Sequence, residues 1–113
     1  MSKEIKDEIT FKEFMKLDIR IGTITDAEKV EGSNKLIKIQ FDFGDFQRQI
    51  VAGIGTKYTA EDLIGKQLPV IVNLQPRLLM GLNSQGMILA VGDNDIDALL
   101  NPSEKVESGA GVH

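Results

Sequence analysis

The chain has 113 residues, of which 42% are hydrophobic, and this length and composition predict one domain with a real apolar core. It contains no Cys, and its single His is the last residue, His113; this excludes a disulfide framework, a typical zinc site and Ser-His or Cys-His nucleophiles. The formal net charge is -4, which by itself disfavours nucleic-acid binding.

The charges are distributed unevenly along the chain. Residues 34–77 carry six basic and four acidic side chains, whereas residues 78–113 carry one basic and five acidic side chains. The middle of the chain is therefore its basic part, although ordinary variation of surface charge accounts for this pattern equally well. No apolar run approaches the ~20 residues that cross a bilayer, and the charged start lacks the apolar region of a signal peptide. These features predict a soluble, cytoplasmic protein.

The N-terminal part of the sequence predicts a short helix followed by a strand. Thr10 followed by Glu13 fits a capping box, which predicts a helix over about 10–16. Apolar and polar residues then alternate over 17–27, which is typical of a half-buried strand. Gly22 within this strand predicts a bulge or a tight bend, because only glycine avoids a Cβ clash there.

The clearest alternation in the chain covers residues 37–43 and predicts a strand with one buried face. Gly44 and Asp45 predict a tight reversal, after which residues 46–52 return as the hairpin partner.

A second short helix is predicted over 60–64, with Gly65 at its C-terminal end. Residues 68–74 and 86–91 are continuous apolar runs, which predict strands that are buried on both faces. Residues 98–100 are a last short strand candidate.

About five strands, short helices and the lack of any predicted long helix indicate an all-β fold. The natural candidate is the five-stranded oligonucleotide/oligosaccharide-binding (OB) barrel, which places a helix between its third and fourth strands, where 60–64 falls. An open sandwich is the alternative that the pattern alone allows. We predict a flexible N-terminus over 1–9 and a single domain over 10–113.

Two local patterns resemble ligand-binding loops but lack essential residues. The sequence Gly53-x-Gly55-x-x-Tyr58 lacks the third glycine and the βαβ unit of a dinucleotide loop, so we interpret it as a strand-ending turn. Four carboxylates have the spacing of a calcium loop, but Ala98 stands where glycine is needed and Pro102 interrupts the loop. These carboxylates, which we interpret as a solvated acidic turn, are Asp93, Asp95, Asp97 and Glu104.

Asp18 and Arg20 lie on the same face of the first predicted strand. We interpret them as a cross-strand ion pair, because no second carboxylate can be placed beside Asp18 for acid–base catalysis. We predict no catalytic residue, no metal site and no cofactor.

The basic residues of the middle segment are a candidate phosphate-binding set. Long cationic side chains on a rigid surface suit phosphates, because neutralised phosphates release condensed counterions. The set consists of Lys35, Lys38, Arg48, Lys66 and Arg77.

Amide and hydroxyl side chains accompany the cations and could bind sugar hydroxyls or base edges. These residues are Asn34, Asn73, Ser84 and Gln85. Met80 and Met87 offer either soft apolar surface for a base or ordinary core packing. The single Tyr and the lack of Trp disfavour a generic single-strand binder, which stacks bases on aromatic rings.

Six segments in a fixed order resemble the tRNA-binding domain of methionyl-tRNA synthetase C-termini and of small stand-alone tRNA-binding proteins. The resemblance covers about residues 11–112, and its strength lies in the joint order and spacing of the segments. They are LDIRIG (17–22), SNKL (33–36), RQIVAGI (48–54), YTAEDLIGK (58–66), VNLQPR (72–77) and MGLNSQGM (80–87).

The resemblance implies an OB barrel with a C-terminal extension that binds the outer corner of tRNA, largely by shape. It also implies a homodimer, with the dimer interface formed by about 91–112. The tRNA surface that it implies consists of Asn34, Lys35, Arg48, Asn73, Arg77, Ser84, Gln85 and Met87.

We therefore expect a non-catalytic tRNA-binding protein. It would be the stand-alone beta subunit, or the C-terminal domain, of methionyl-tRNA synthetase, and would assist a synthetase catalytic chain. The Met at position 1 favours a stand-alone chain. The rival hypothesis is a dimeric chaperone for unfolded or exported polypeptides, as in the secretion-related branch of this family. The SNK and SQGM segments (33–35 and 84–87) look more like the synthetase branch.

The signature segment of the family corresponds to residues 73–90, which we predict to be a polar loop between two buried barrel strands. Three positions in it depart from the family pattern. Gln75 and Leu78 stand where the family often has Lys, and Asn83 stands where Glu is common. The two lost cations predict weaker and more salt-tolerant binding, with a salt slope smaller by roughly one per lost phosphate contact.

Overall fold

The computed structural model describes residues 3–113, and in this part of the chain it contains ten strands and two short helices. The helices are α1 (Phe11–Phe14) and α2 (Ala60–Leu63). The strands are β1 (Ile19–Lys29), β2 (Ile37–Asp42), β3 (Gln47–Ala52), β4 (Gln67–Ile71), β5 (Arg77–Leu79), β6 (Leu82–Ser84), β7 (Met87–Ile88), β8 (Ala90–Val91), β9 (Ala98–Leu99) and β10 (Gly111–Val112).

The main sheet has the strand order β3-β2-β1-β4-β7, and all of its neighbouring pairs are antiparallel. It curls into a nearly closed five-stranded barrel, because β3 also approaches the chain just after β6, where Gln85 N donates to Gln49 O at 2.8 Å. The predicted all-β, OB-type barrel is confirmed, and α2 lies between β3 and β4 as expected. Strand β10 extends the sheet beside the first residues of β1.

The N-terminal segment leads into α1 without further regular structure. The predicted flexible segment 1–9 begins with residues 1–2, which lie outside the described residues; residues 3–10 are exposed and form neither helix nor strand. The Thr10 hydroxyl accepts from Glu13 N at 3.0 Å, and the Glu13 carboxylate accepts from Thr10 N, so the capping box is confirmed. The helix is shorter than the predicted 10–16 and buries none of its residues.

Gly22 does not form the predicted bulge. It lies in register with Leu68 of β4, and the irregularity of β1 falls between Ile24 and Asp26 instead. A Cβ at Gly22 would nevertheless lie 2.7 Å from Phe41 Cδ1 and 2.7 Å from Phe43 Cε1. The residue is glycine because two core rings pack directly on its backbone, and not because the strand bends there.

The hairpin of β2 and β3 is confirmed as predicted. Its register runs from Ile37 opposite Ala52 to Asp42 opposite Gln47, and the inward side chains of Ile37, Ile39 and Phe41 are fully buried. Period-two alternation therefore identified the face of β2 that forms the core.

Helix α2 closes one end of the barrel with Leu63, which is fully buried. The Thr59 hydroxyl accepts from Asp62 N, and Gly65, at φ +91°, donates its N–H to Ile24 O at 2.8 Å. A residue with a Cβ would be strained at this φ, so glycine lets the chain leave α2 and hydrogen-bond to β1.

The two continuous apolar runs form shorter strands than predicted. Strand β4 ends at Ile71, and Leu74 beyond it is 43% exposed. The run 86–91 divides into β7, which pairs with β4, and β8, which pairs with β9 outside the barrel. Val91 is 44% exposed, so the prediction of burial on both faces was wrong there, because the chain leaves the barrel after Ile88. Neither helix in residues 3–113 is long and apolar enough to span a membrane.

Candidate nucleic-acid interface

The signature segment folds as a hairpin of its own rather than as the predicted loop between two barrel strands. Strands β5 and β6 pair with Arg77 opposite Ser84 and Leu79 opposite Leu82. Met80 (φ +52°) and Gly81 (φ +78°) connect them, which is the pair of positive φ values that a type I′ turn requires. The local sequence signal for this turn is the Met80-Gly81 pair. The two strands beside it have three residues each and are too short to show clear periodicity.

A cleft of about 420 Å³ brings together three of the residues that the sequence singled out. Lys35 reaches it from the turn before β2, Arg77 from β5 and Met87 from β7. Lys35 and Arg77 are exposed, and Met87 is partly buried. The cleft therefore places two cations beside a soft apolar side chain, although the three residues come from separate segments.

The turn that carries Lys35 is held by backbone and side-chain hydrogen bonds. The Ser33 hydroxyl accepts from Lys35 N at 3.3 Å and from Leu36 N at 3.0 Å. Gly55 N donates to Lys35 O at 2.7 Å, and a Cβ at Gly55 would lie 2.8 Å from that oxygen. Asn34 is exposed in the same turn. The SNK segment thus presents an amide and an ammonium group from a fixed backbone.

Lys38 and Arg48 are in different surroundings, outside the cleft lining. Lys38 forms an ion pair with Glu28, and its side chain is 29% exposed. The Arg48 guanidinium carbon lies 4.5 Å from the centroid of the Phe46 ring. Lys38 is opposite Val51 and Arg48 is opposite Phe41, so the two cations leave opposite faces of the β2–β3 ladder. The predicted basic set therefore does not form one continuous surface.

Lys66 is also separate from the cleft. It directly precedes β4, whereas Met87 is opposite Ile71 at the other end of that strand. The Lys66 carbonyl accepts from Ile24 N at 2.9 Å beside α2. Five residues of strand, or roughly 16 Å, separate Lys66 from the end of β4 that lies by the cleft.

Asn73 uses both ends of its amide within the protein. Its Nδ2 donates to Lys16 O at 2.6 Å, and its Oδ1 accepts from Asp18 N at 2.9 Å. The side chain joins the entry of β1 to the exit of β4, so in this structure its donor and acceptor groups already have partners.

Ser84 and Gln85 close the seam between β3 and β6. Ser84 is 3% exposed, and its hydroxyl accepts from Val51 N at 3.0 Å. The Gln85 Oε1 accepts from Gln49 N at 3.0 Å, and Gln49 Nε2 donates to Asn83 O at 2.9 Å. Sequence reasoning missed Gln49, since a glutamine on a predicted strand carries no signal of such a role.

The loop between β8 and β9 also lines the cleft, although its residues are not among the predicted site residues. Asn94 and Asp95 lie in this loop and line the cleft together with Gly92. Gly92, at φ +143°, approaches Asp95 so closely that a Cβ would lie 2.0 Å from its carbonyl oxygen. The acidic residue Asp95 therefore lines the same cleft as Lys35 and Arg77.

The acidic turn shows no metal-binding geometry in the part of the chain that the structure describes. No group of three or more His, Cys, Asp or Glu side chains in residues 3–113 could hold a metal ion. Asp93 instead pairs with Lys3, and the Asp97 carbonyl accepts from the Lys57 ammonium group.

The predicted ion pair of Asp18 and Arg20 is present, but it runs along β1 rather than across strands. Arg20 Nε donates to Asp18 Oδ1 at 2.9 Å, and a second guanidinium nitrogen donates to Oδ2 at 3.0 Å. This bidentate contact lowers the pKa of Asp18 and raises the pKa of Arg20. The contact favours the ionised Asp18 carboxylate, and both of its oxygens accept hydrogen bonds from Arg20.

A nearly closed five-stranded barrel of this kind is the OB fold, whose members bind oligonucleotides and oligosaccharides, and this barrel carries a cleft lined by two cations. The sequence profile of the tRNA binding domain matches residues 19–111. The chain belongs to the tRNA-binding domain family.

Related sequences are synthetases that are much longer than this chain. It is 48% identical over 115 residues to the methionine–tRNA ligase of Caldanaerobacter subterraneus subsp. tengcongensis. It is 51% identical over 109 residues to that of Archaeoglobus fulgidus. The matches cover 98% and 96% of this chain but 18% and 17% of the two ligases, so the chain spans less than a fifth of their length.

Two similar solved structures are of chains that this chain covers completely. A MetRS-related protein from Pyrococcus horikoshii superposes with a TM-score of 0.88 at 36% identity, covering 96% of this chain and all of that one. The chaperone CsaA from Bacillus anthracis superposes with a TM-score of 0.87 at 34% identity, covering 95% of this chain and all of that one.

Proposed function

We propose that the chain is a non-catalytic module that binds folded tRNA through the cleft of Lys35, Arg77 and Met87. The observation that carries this proposal is the convergence of the three side chains from separate segments at one edge of the barrel. Cations on a fixed backbone are already placed near one another to meet phosphates, and Met87 can lie against a sugar or a base.

Lys35 and Arg77 are suited to phosphate binding because their charges are not already paired. The ion pairs within residues 3–113 involve Lys3, Arg20 and Lys38, and neither Lys35 nor Arg77 takes part in one. Phosphate contacts at these two positions would make binding salt-dependent, with each contact adding roughly one to the slope. Asn34, beside Lys35, would add contacts to sugar or base edges. Arg48 and Lys38 would contribute through longer-range attraction, since both already contact protein groups.

The module would assist methionyl-tRNA synthetase by raising the local concentration of tRNA near a catalytic chain. This role is supported by the identity of this chain to a small part of two methionine–tRNA ligases. The proposed forms are a stand-alone beta subunit and a C-terminal domain of the synthetase, in either case acting in the cytoplasm. A stand-alone form would act on the catalytic chain in trans.

We also propose that the chain forms a homodimer through its C-terminal extension, about 91–112. Leu100 and Val112 are 41% and 39% exposed, and with Pro102 and Val106 they line an apolar cleft beside β1 and β4. Pairing two such surfaces would bury apolar area on both copies.

The second candidate function is that of a chaperone for unfolded polypeptides. The close similarity to the CsaA chaperone supports it, as do the exposed side chains of Phe11 and Met15, which are 75% and 58% exposed. An unfolded peptide would bind through apolar contacts and depend little on salt.

The two candidates are separated by titrating the protein with folded tRNA and with a reduced, unfolded polypeptide at two salt concentrations. The tRNA proposal requires saturable tRNA binding that weakens as salt rises, and polypeptide binding that is much weaker. Lack of tRNA binding at low salt, with saturable and salt-insensitive polypeptide binding, would instead establish the chaperone role.

A further inference from the structure

We propose that Ser84, Gln85 and Gln49 position the β5–β6 hairpin for tRNA binding and that the buried Ser84 does not itself contact tRNA. This inference rests on the proposed function, because the cation that the hairpin carries is Arg77. It assigns a structural role to two residues for which the sequence resemblance implies direct contact.

The seam between β3 and β6 is made largely by side chains. Two backbone N–H groups of β3, from Gln49 and Val51, donate to side-chain oxygens rather than to the backbone of a neighbouring strand. The acceptors are Gln85 Oε1 at 3.0 Å and Ser84 Oγ at 3.0 Å. A single backbone hydrogen bond, from Gln85 N to Gln49 O, accompanies them. The edge of β3 would otherwise have unpaired donors, and Val51 is 2% exposed.

Gln49 acts at the centre of this seam. Its Nε2 donates to Asn83 O at 2.9 Å, and its Oε1 accepts from Gln40 Nε2 at 3.3 Å. The same residue uses its N–H and its carbonyl with Gln85. One side chain and its backbone thus join β2, β3 and β6.

The seam determines where Arg77 lies, because Arg77 is the direct cross-strand partner of Ser84. The hairpin is two three-residue strands, and a two-stranded hairpin of this size is not stable by itself. Its attachment to β3 therefore positions the backbone that carries Arg77 relative to the turn that carries Lys35.

Burial argues against direct contact by Ser84. At 3% exposure, its hydroxyl offers almost no surface to a macromolecule, and the oxygen already accepts a hydrogen bond. Moving it to the surface would leave Val51 N–H without its acceptor. Such a loss is costly for a buried donor.

The test compares tRNA binding over a range of salt concentrations for the wild type, Arg77→Ala, Ser84→Ala and Ser84→Thr. A positioning role predicts that Ser84→Ala weakens binding by a similar factor at each salt concentration, with an unchanged slope. Arg77→Ala lowers the slope by about one. Ser84→Thr keeps a hydroxyl acceptor and should restore the affinity. Asn83→Ala is the matched control, because it keeps the carbonyl that Gln49 uses and removes only an exposed side chain.

Amide hydrogen exchange of the free protein tests the seam without RNA. Ser84→Ala should accelerate exchange of the Val51 amide by about 10-fold or more, and Gln85→Ala should do so for the Gln49 amide. Unchanged exchange in both variants would overturn the proposal, as would a slope for Ser84→Ala that falls as far as that for Arg77→Ala. If the wild type does not bind tRNA, the proposed function fails, while the exchange result still decides whether these residues hold the hairpin.

Discussion

Arg77 on β5 and Ser84 on β6 are direct cross-strand partners, so the strand that carries the exposed cation is held beside the buried hydroxyl. The hydroxyl is bound to β3 through Val51 N, and the cation lines the cleft with Lys35. One face of the hairpin therefore carries both the cation and the buried hydroxyl, whereas Leu78 and Asn83 lie on its other face.

Removing the Arg77 guanidinium should weaken tRNA binding and reduce its salt dependence. We expect Arg77→Ala to lower affinity by about 10-fold at low salt and the salt slope by about one, because one phosphate contact is lost. Fluorescence titration at several salt concentrations measures both quantities. Lys12→Ala is the matched control, since it removes one exposed positive charge from α1, none of whose residues line the cleft. An equal loss in both variants would mean that only net charge matters.

Restoring a family cation should strengthen binding. Leu78 is 72% exposed, so Leu78→Lys is expected to change the free energy of unfolding by less than about 0.5 kcal/mol. If tRNA passes over the hairpin, the new ammonium group gains a phosphate contact and raises the salt slope by roughly one. Leu78→Gln controls for the loss of apolar surface. An unchanged slope in Leu78→Lys would place the hairpin face that carries Leu78 and Asn83 outside the tRNA footprint.

Gly22→Ala should destabilise the barrel, because the new Cβ would lie 2.7 Å from atoms of Phe41 and Phe43. Overpacking of this kind lowers the free energy of unfolding by about 1–3 kcal/mol. For a domain of this size each kcal/mol lowers the midpoint by about 4–8 °C, which circular dichroism measures. Gly111→Ala is the control, since a Cβ there has no atom within 4 Å. Equal midpoints for the two variants would contradict the packing argument.

The ion pair of Asp18 and Arg20 should make stability depend on acid pH. The pKa of Asp18 is lowered by its hydrogen bond to Arg20 from an ordinary value of 3.8, so the folded state favours the ionised carboxylate. This stabilisation is complete above 3.8 and is lost as the pH falls through the lower pKa of the folded state. Its size should stay below about 1 kcal/mol, because both side chains are more than a third exposed.

Urea unfolding of the wild type and of Asp18→Asn at a series of pH values measures this contribution. We expect the wild type to be more stable at neutral pH and the difference to shrink below pH 3.8. A difference that stays constant down to the lowest pH would show that the carboxylate charge is not its source.

Tyr58→Phe should loosen the start of the C-terminal extension. The Tyr58 hydroxyl accepts from Leu99 N at 3.2 Å, so its removal leaves this half-buried N–H group without an acceptor. The expected loss is about 0.5–1.5 kcal/mol in the free energy of unfolding, together with faster exchange of the Leu99 amide. The Asp97 amide, which donates to Val91 O at 2.7 Å, is an internal reference. Faster exchange at both amides would indicate general loosening of β8 and β9 instead.

Much of the barrel could be predicted from the sequence because its elements are encoded locally. Alternation over 37–43 identifies the buried face of β2, the Thr10 cap marks the first helix, and Gly65 marks the end of the second. The run 86–91 was misjudged, because an apolar run does not reveal whether one strand or two will form from it.

The candidate site could be predicted only in part. Lys35, Arg77 and Met87 were identified by residue type and by resemblance, and the fold brings them to one cleft. Lys66 was grouped with them because it is a cation, but the direction of β4 places it at the other end of the strand.

The sequence by itself determined the all-β class, the helix between the third and fourth strands and the family. These depend on short-range patterns and on the order of segments. Only the tertiary structure decided which polar side chains already have partners within the protein, because Ser84 and Asn73 bond to residues that are 33 and 55 positions away along the chain. Hydrogen bonds over such separations leave no local periodicity. A serine that supports a strand and a serine that contacts a ligand therefore look the same until the barrel closes.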